Sequence, residues 1–370
     1  MRVLHVTAGN LFGGIERMLV TIVSTEQPDC AHEVALSFEG RLAQELRAAG
    51  SPPHAIGEVR FRRPDSVWRA RRTLSRLLRT EPADAVICHA PWSCALAGPV
   101  ARRAARPLLM WVHDAPQPDG WPERRIARRP PDRFICNSRH TADAITRWMP
   151  GVPRAVVHPP VLPAPAVPAR ERHELRAGLG AGEGTTVILL ASRLEEWKGQ
   201  RVLLEAAARL RGDAAVWIAG SPQRPAEARY FEELSRLAAA RTSTTVIKFL
   251  GERTDVPRLM AAADVYCQPN TAPEPFGIAF VEALAAGVPI VTTAFGRAIE
   301  IVDERCGILV DGPSPDLVAE ALQRLIDSPA LRASLGAAGP SRAFQVSDPR
   351  ARLTEVHDLI RAELERSSAA

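Results

Sequence analysis

The stretch PEPFGIAFVEALAAGVPIV, residues 273–291, reads as a turn, a helix of small and apolar residues, and the first residues of a β-branched strand. Pro275 suits a first helical turn, and Gly287 with Pro289 ends the helix. Two carboxylates stand in it with no cation beside them: Glu274 just before the helix and Glu282 eight residues on. The amides of Phe276, Gly277 and Ile278 are donors at the same helix start. An unpaired carboxylate in so apolar a helix costs several kcal/mol, so both need partners. Sugar or ribose hydroxyls suit, because an ionised carboxylate accepts two at once. Equally, Glu274 could cap the helix and Glu282 could pair with an arginine.

Helix followed by strand is one unit of an alternation that runs along the chain. In the first half, strands are expected at Val3–Thr7, Glu33–Ser37, Ala85–Cys88, Leu108–Val112, Arg133–Cys136 and Arg154–Val157, with helices such as Gly14–Ser24 and Thr141–Trp148 between them. HPPVLPAPAVPA, 158–169, carries five prolines in ten residues and reads as an extended linker. The alternation then restarts at Thr186–Ala191, Ala215–Ala219, Thr245–Phe249, Asp264–Cys267 and Val288–Thr292. The pattern is α/β: two Rossmann-like, doubly wound parallel sheets with a cleft between them. Expected boundaries are 1–168, 169–348 and a C-terminal amphipathic helix, 349–370, crossing back to the first domain. At 370 residues two domains are also the natural expectation.

Composition narrows the class: 46% hydrophobic and 24% charged residues are those of a soluble globular protein. No apolar run approaches a membrane span, and MRVLHVTAGN has no signal-peptide core. Six cysteines without a CxxC pair point to structural thiols in a reduced, cytoplasmic setting. The net charge of +5 is uneven: +8 over residues 1–160 and −3 over the rest. The basic half admits solubility alone, an anionic acceptor, or peripheral contact with the inner face of a membrane. The Arg-rich stretches 60–79 and 124–133 lack interleaved aromatics, so no nucleic-acid partner is expected.

In doubly wound sheets, ligands bind beyond the carboxyl ends of the strands. After the strand ending at Ala191, the loop of LLASRLEEWKG (189–199) holds Arg193 and Lys198. Lys198 is one of only two lysines in the chain. Two cations beside a helix start suit a diphosphate, or they pair with Glu195 and Glu196. AGNLFGGIERM (8–18) places Gly13 and Gly14 at a phosphate-friendly turn, without the GxGxxG spacing of dinucleotide sites. MWVHDAPQ (110–117) puts His113 and Asp114 at another strand end. His89 has a similar position, and His5 lies inside the first strand. No HxxxH, HExxH or acidic cluster marks a metal site.

Six segments in order, GGIE (13–16), VHD (112–114), ICNS (135–138), SRLEEWKG (192–199), FLGER (249–253) and EPFGIAFVEALAAGVPIV with its E-x7-E spacing, together resemble the retaining glycosyltransferases of family 4. The resemblance spans about residues 1–312. It implies the GT-B fold and transfer of a sugar from a nucleotide sugar to an acceptor hydroxyl with retention, without metal or other cofactor. It implies that Arg193 and Lys198 neutralise the donor diphosphate, that Glu274 holds hydroxyls of the transferred sugar and that Glu282 binds the ribose. The amides of Phe276, Gly277 and Ile278 would touch sugar or phosphate. His113 would contact the sugar near the reacting carbon, and Gly13 and Gly14 would let backbone close on phosphate. The partners implied are a nucleotide-sugar donor and a glycan, lipid-linked or small-molecule acceptor. One departure stands out: AFGRAIEIV (294–302) has Arg297 where the family often has a second glycine. A nucleotide-sugar epimerase of the same fold, or a non-catalytic binding module, are the rival readings.

Overall fold

The computed structural model describes residues 1–240 and 244–369, which fall into two compact units, Met1–Pro160 with the segment from Asp348, and Val161–Ser347. The first boundary lies eight residues before the expected 168/169. Val161 explains the shift: it is 8% exposed among the apolar residues of the second unit, and its amide donates to the Ser347 carbonyl at 3.1 Å. The second boundary falls one residue before 348/349.

The first unit holds seven strands: β1 Arg2–Thr7, β2 Ala31–Leu36, β3 His54–Ala55, β4 Ala85–Cys88, β5 Leu108–Val112, β6 Arg133–Cys136 and β7 Arg154–Val156. They form one all-parallel sheet in the order β3-β2-β1-β4-β5-β6-β7. Buried β4 and β5 are apolar throughout, as a sheet covered on both faces requires. The basic helix Pro64–Thr80 turns Ala70, Leu74 and Leu78 inward and leaves Arg69, Arg72, Arg76 and Arg79 outside, while half-buried Arg71 donates to the Ala95 and Leu96 carbonyls. The last helix, Pro349–Ala369, belongs to this unit: Arg133 Nε donates to Glu363 at 2.6 Å, and His32 meets His357.

The second unit holds six more: β8 Thr186–Ala191, β9 Ala214–Ala219, β10 Val246–Gly251, β11 Val265–Gln268, β12 Ile290–Thr293 and β13 Gly307–Val310. This sheet is also all-parallel, in the order β10-β9-β8-β11-β12-β13. Both orders turn back on themselves beside the first strand of the unit, the doubly wound arrangement. Ala85–Cys88, Leu108–Val112, Arg133–Cys136 and Thr186–Ala191 lie where expected, and the other expected strands are displaced by one or two residues at one or both ends. Two strands, β3 and β13, had no counterpart in the sequence reading.

The helix of the opening stretch runs over Ile278–Ala285, later than expected: Pro275 lies outside it, and Gly277 is its N-cap with φ +96°. Its small residues have a packing reason. A Cβ on Gly339 would stand 2.6 Å from the Leu284 carbonyl, and one on Gly336 would stand 2.3 Å from that of Gly287. Helix Pro329–Ser347 therefore lies backbone to backbone against EALAAG, an approach only glycine allows.

Candidate donor site and its glutamate–lysine pair

At the carboxyl edge of the second sheet the structure joins residues 76 apart in sequence. Lys198 Nζ donates to both oxygens of Glu274, at 2.8 and 3.1 Å. The pair is sheltered: the side chains are 14% and 6% exposed. Glu274 Oε2 also accepts from Gln268 Nε2 at 2.9 Å and Asn270 Nδ2 at 3.0 Å. Three donors on one carboxylate balance its desolvation. Lys198 further lies 3.9 Å from the Trp197 ring centre, a cation–π contact.

Two backbone devices bring these groups together. Lys198 ends a 3-10 turn, Glu196–Lys198, and Gly199 follows with φ +78°. A Cβ there would sit 2.0 Å from the Pro269 carbonyl. The Thr271 amide donates to the Trp197 carbonyl at 2.9 Å, tying the loop after β8 to the loop after β11. On the other side Glu274 bridges to Gly296, where φ is +58° and a Cβ would be 2.8 Å from the Glu274 backbone. Underneath, Tyr266 Oη lies 3.1 Å from the Ala191 carbonyl and 2.8 Å from Gln268 Oε1. Burial, then the negative charges of Glu274 and Glu282, push the Tyr266 phenol well above its usual pKa. It therefore acts as a neutral hydrogen-bonding post.

The other residues divide. Arg193 pairs with Glu195 at 3.0 Å, whereas Lys198 pairs with Glu274 and not with Glu196. Gln200, fully buried, donates to the Arg193 carbonyl at 2.8 Å and to Ser192 Oγ at 3.0 Å, fixing that loop. Glu282 is half-buried on helix Ile278–Ala285. Arg297 takes an ordinary right-handed conformation, φ −87°, so no glycine is required there. Its side chain is fully buried and pairs with Glu300, while its amide donates to the Glu274 carbonyl at 3.1 Å.

In the first unit, Gly13 caps helix Gly14–Ser24 in extended backbone, and its amide donates to Glu16 Oε2 at 2.9 Å. His113 follows β5, and Asn137 Nδ2 holds its carbonyl at 3.1 Å. Ser138 caps helix Arg139–Trp148 by accepting from the Thr141 amide at 3.0 Å. The ICNS segment thus positions the His113 backbone. The imidazole contacts His89, Nε2 to Nδ1 at 3.0 Å, and burial pushes its pKa down to about 3. His113 is accordingly neutral at physiological pH.

Sequence reasoning did not find Gln268, Asn270, Tyr266 or Gln200. Their signal was a polar residue at the end of a buried strand or the start of a loop at the sheet's carboxyl edge, visible only once strand order was known.

Each unit carries an all-parallel, doubly wound sheet, the arrangement of the GT-B fold, and the second sheet has a charged, hydrogen-bonded carboxyl edge. The sequence matches Glycosyl transferases group 1 over residues 171–342 and Glycosyltransferase Family 4 over residues 12–163. The chain belongs to glycosyltransferase family 4. A GDP-mannose-dependent alpha-(1-6)-phosphatidylinositol monomannoside mannosyltransferase of Mycolicibacterium smegmatis is 30% identical, over 80% of this chain and 81% of that one. A GDP-mannose-dependent monoacylated alpha-(1-6)-phosphatidylinositol monomannoside mannosyltransferase of Corynebacterium glutamicum is 37% identical over 47% of this chain. That match spans about half the relative's length, 46%. Among solved structures, Anabaena HepE in complex with UDP and glucose superposes with a TM-score of 0.85 at 24% identity, covering 98% of this chain and all of that one. Among the described residues no helix is long and apolar enough to cross a membrane.

Proposed function

We propose that the chain transfers a sugar from a nucleoside-diphosphate sugar to a hydroxyl of a glycolipid or phosphate-bearing acceptor, with retention and without a metal at the diphosphate. The observation that carries this is the Lys198–Glu274 pair, backed by Gln268 and Asn270, with Arg193 on the adjoining loop. Glu274 keeps two amide donors besides Lys198, so its charge stays compensated when a ligand draws Lys198 away. Lys198 then stands between a fixed carboxylate and an incoming diphosphate, and Arg193 adds a second cation. Glu274 is left able to accept from sugar hydroxyls, and Glu282 to accept from the ribose. The Phe276, Gly277 and Ile278 amides open the helix beside them. Gly13 and Gly14 are assigned to phosphate and His113 to the sugar on the resemblance to the family.

The chemistry follows from charge. As the sugar–phosphate bond breaks, positive charge grows on the ring and negative charge on the leaving diphosphate. Fixed cations at that diphosphate stabilise the transition state, and losing one such group costs ~10²–10³ in rate. With the acceptor entering on the face the diphosphate leaves, a phosphate oxygen takes the acceptor's proton. No protein base is then needed. Neutral His113 suits a hydrogen-bonding contact with the sugar and not a charged one. Relatives named for GDP-mannose and phosphatidylinositol mannosides, and the +8 charge of residues 1–160, support an anionic glycolipid acceptor.

The test is thermal unfolding with UDP, GDP, ADP and dTDP and their sugars, in EDTA. Saturation at 100 times the dissociation constant adds ~2.7 kcal/mol to stability. One base should raise the midpoint, and Glu282→Ala should abolish the rise. No rise with any of the four, or a rise that requires a divalent cation, overturns the reading.

A further inference from the structure

Five histidines of the first unit form one hydrogen-bonded row. His357 Nε2 meets His32 Nε2 at 2.9 Å, and His32 Nδ1 meets His5 Nε2 at 2.9 Å. His5 Nδ1 meets His89 Nε2 at 2.8 Å, and His89 Nδ1 meets His113 Nε2 at 3.0 Å. Successive ring centres are 5.0–5.3 Å apart. One end is the candidate site residue His113. At the other end a thiol joins: Cys30 Sγ is 3.7 Å from His32 Nε2.

Cys30 directly precedes β2, and His32 is two residues on, so both side chains leave the same face of the strand. His357 comes from helix Pro349–Ala369. The three donor atoms lie within 4.8 Å of one another. A tetrahedral zinc with ordinary Zn–S and Zn–N lengths would separate sulfur and nitrogen by about 3.6 Å and two nitrogens by about 3.3 Å. The first matches the structure, and the second needs the two rings to part by about 0.4 Å. His32 and His357 are 8% and 5% exposed and Cys30 is half-buried, so the two imidazoles lie inside and the thiol at the edge of the interior. His32 also has the outer-shell partner that metal-bound histidines usually keep, His5 on its second nitrogen. A neighbouring acidic cluster, Glu33, His54 and Glu81, differs: Arg2 already pairs with both of its carboxylates.

We propose that Cys30, His32 and His357 bind one divalent cation of the zinc class, fastening the last helix to β2. A thiolate with two imidazoles suits such an ion, and a water completes four-coordination. Binding releases the Cys30 proton. The two imidazoles stay neutral, each carrying its proton on Nδ1. Proton placement then follows along the row. His32 Nδ1–H donates to His5, His5 Nδ1–H to His89, and His89 Nδ1–H to His113. The metal thereby fixes His113 with its proton on Nδ1. Without metal the row can also run the opposite way, because each neutral ring gives one proton and takes one. The metal assignment stands independently of the transfer reading.

The test is cobalt titration of EDTA-stripped protein. One equivalent should give the visible bands of tetrahedral cobalt with a thiolate charge-transfer band, displaced by zinc. Cys30→Ser should remove the charge-transfer band, and His357→Gln should weaken binding at least tenfold. His89→Gln, which breaks the row but touches no ligand, should bind cobalt normally. Imidazole ¹⁵N spectra should show His113 with one tautomer in zinc. Absence of a charge-transfer band in the wild-type protein, or its persistence in Cys30→Ser, overturns the site. Should the variants fail to fold, metal analysis of wild-type protein after dialysis decides, with less than one zinc per two chains counting against it.

Discussion

Replacing Lys198 by methionine removes a charge and keeps the length of the side chain. Glu274, with its side chain 6% exposed, then loses its cation but keeps the Gln268 and Asn270 amides. Breaking a buried ion pair by deleting one partner costs ~3–5 kcal/mol, because a buried charge is left behind. Two remaining donors, at about 1.5–3 kcal/mol each for a charged acceptor, place the loss near the low end, ~3 kcal/mol. Glu274→Gln should cost less, since a neutral amide needs less compensation. In the double variant most of the Lys198→Met loss should return, giving a coupling of about 2 kcal/mol. The assay is a double-mutant cycle by urea unfolding, following the transition of the second unit. A Lys198→Met protein within about 0.5 kcal/mol of wild type would show that the pair is a surface contact and refute the argument. Sugar transfer adds a second readout: Lys198→Met should lose ~10²-fold or more in rate, a loss that Glu274→Gln does not restore.

Two further outcomes are expected. Burial lowers the pKa of His113 to about 3 and that of His89 well below its usual value. Their folded pKa values lie below the unfolded 6.5, so the native state binds fewer protons and stability falls with pH below 6.5. In metal-free protein at pH 5.5 these two should cost ~3 kcal/mol relative to pH 8, and His5 and His32, whose pKa values burial also lowers, should add about as much again. Urea midpoints across this range check it, and a flat profile contradicts neutral burial. Gly296→Ala places a methyl 2.8 Å from the Glu274 backbone at φ +58°. The conformational cost of ~1–2 kcal/mol and overpacking of ~1–3 kcal/mol should lower the unfolding midpoint and weaken nucleotide binding together. An unchanged midpoint would show that the bridge between Gly296 and Glu274 yields freely.

Much of this protein was set by local sequence. Most of the parallel strands are short runs rich in β-branched and apolar residues, and their length, composition and flanking turn residues mark them. Ser138 before its helix and the basic outer face of Pro64–Thr80 are local too. Local rules failed where tertiary contacts overrode them. Helices Pro91–Arg103 and Pro329–Ser347 each contain an internal proline, which argues against a helix from sequence, yet packing sustains both. β3 is two residues long and β13 opens on glycine, so neither has a pattern to detect. The opening stretch's helix begins at Ile278, three residues later than Pro275 suggested, because the φ of +96° at Gly277 turns the chain there. The site divides the same way. Arg193 and Lys198 stood out as charges after an expected strand end, and Glu274 and Glu282 as carboxylates before and within an apolar helix. That Lys198 belongs to Glu274 and not to Glu196 was decided by strand order, since β8 and β11 are neighbours in the sheet although 73 residues lie between Ala191 and Val265.

 The pairing of β8 with β11 puts Ile188 beside Val265, and the loops that leave those two strands meet. The five histidines make the same point. Each stands alone in the sequence, and only the order β2-β1-β4-β5, with the last helix laid against β2, sets their rings in one row. Local sequence decides which segments become strands and helices, because propensity and periodicity act over a few residues. Which side chains share a site is decided by sheet order, because parallel neighbours are joined by long crossovers that carry no local signal.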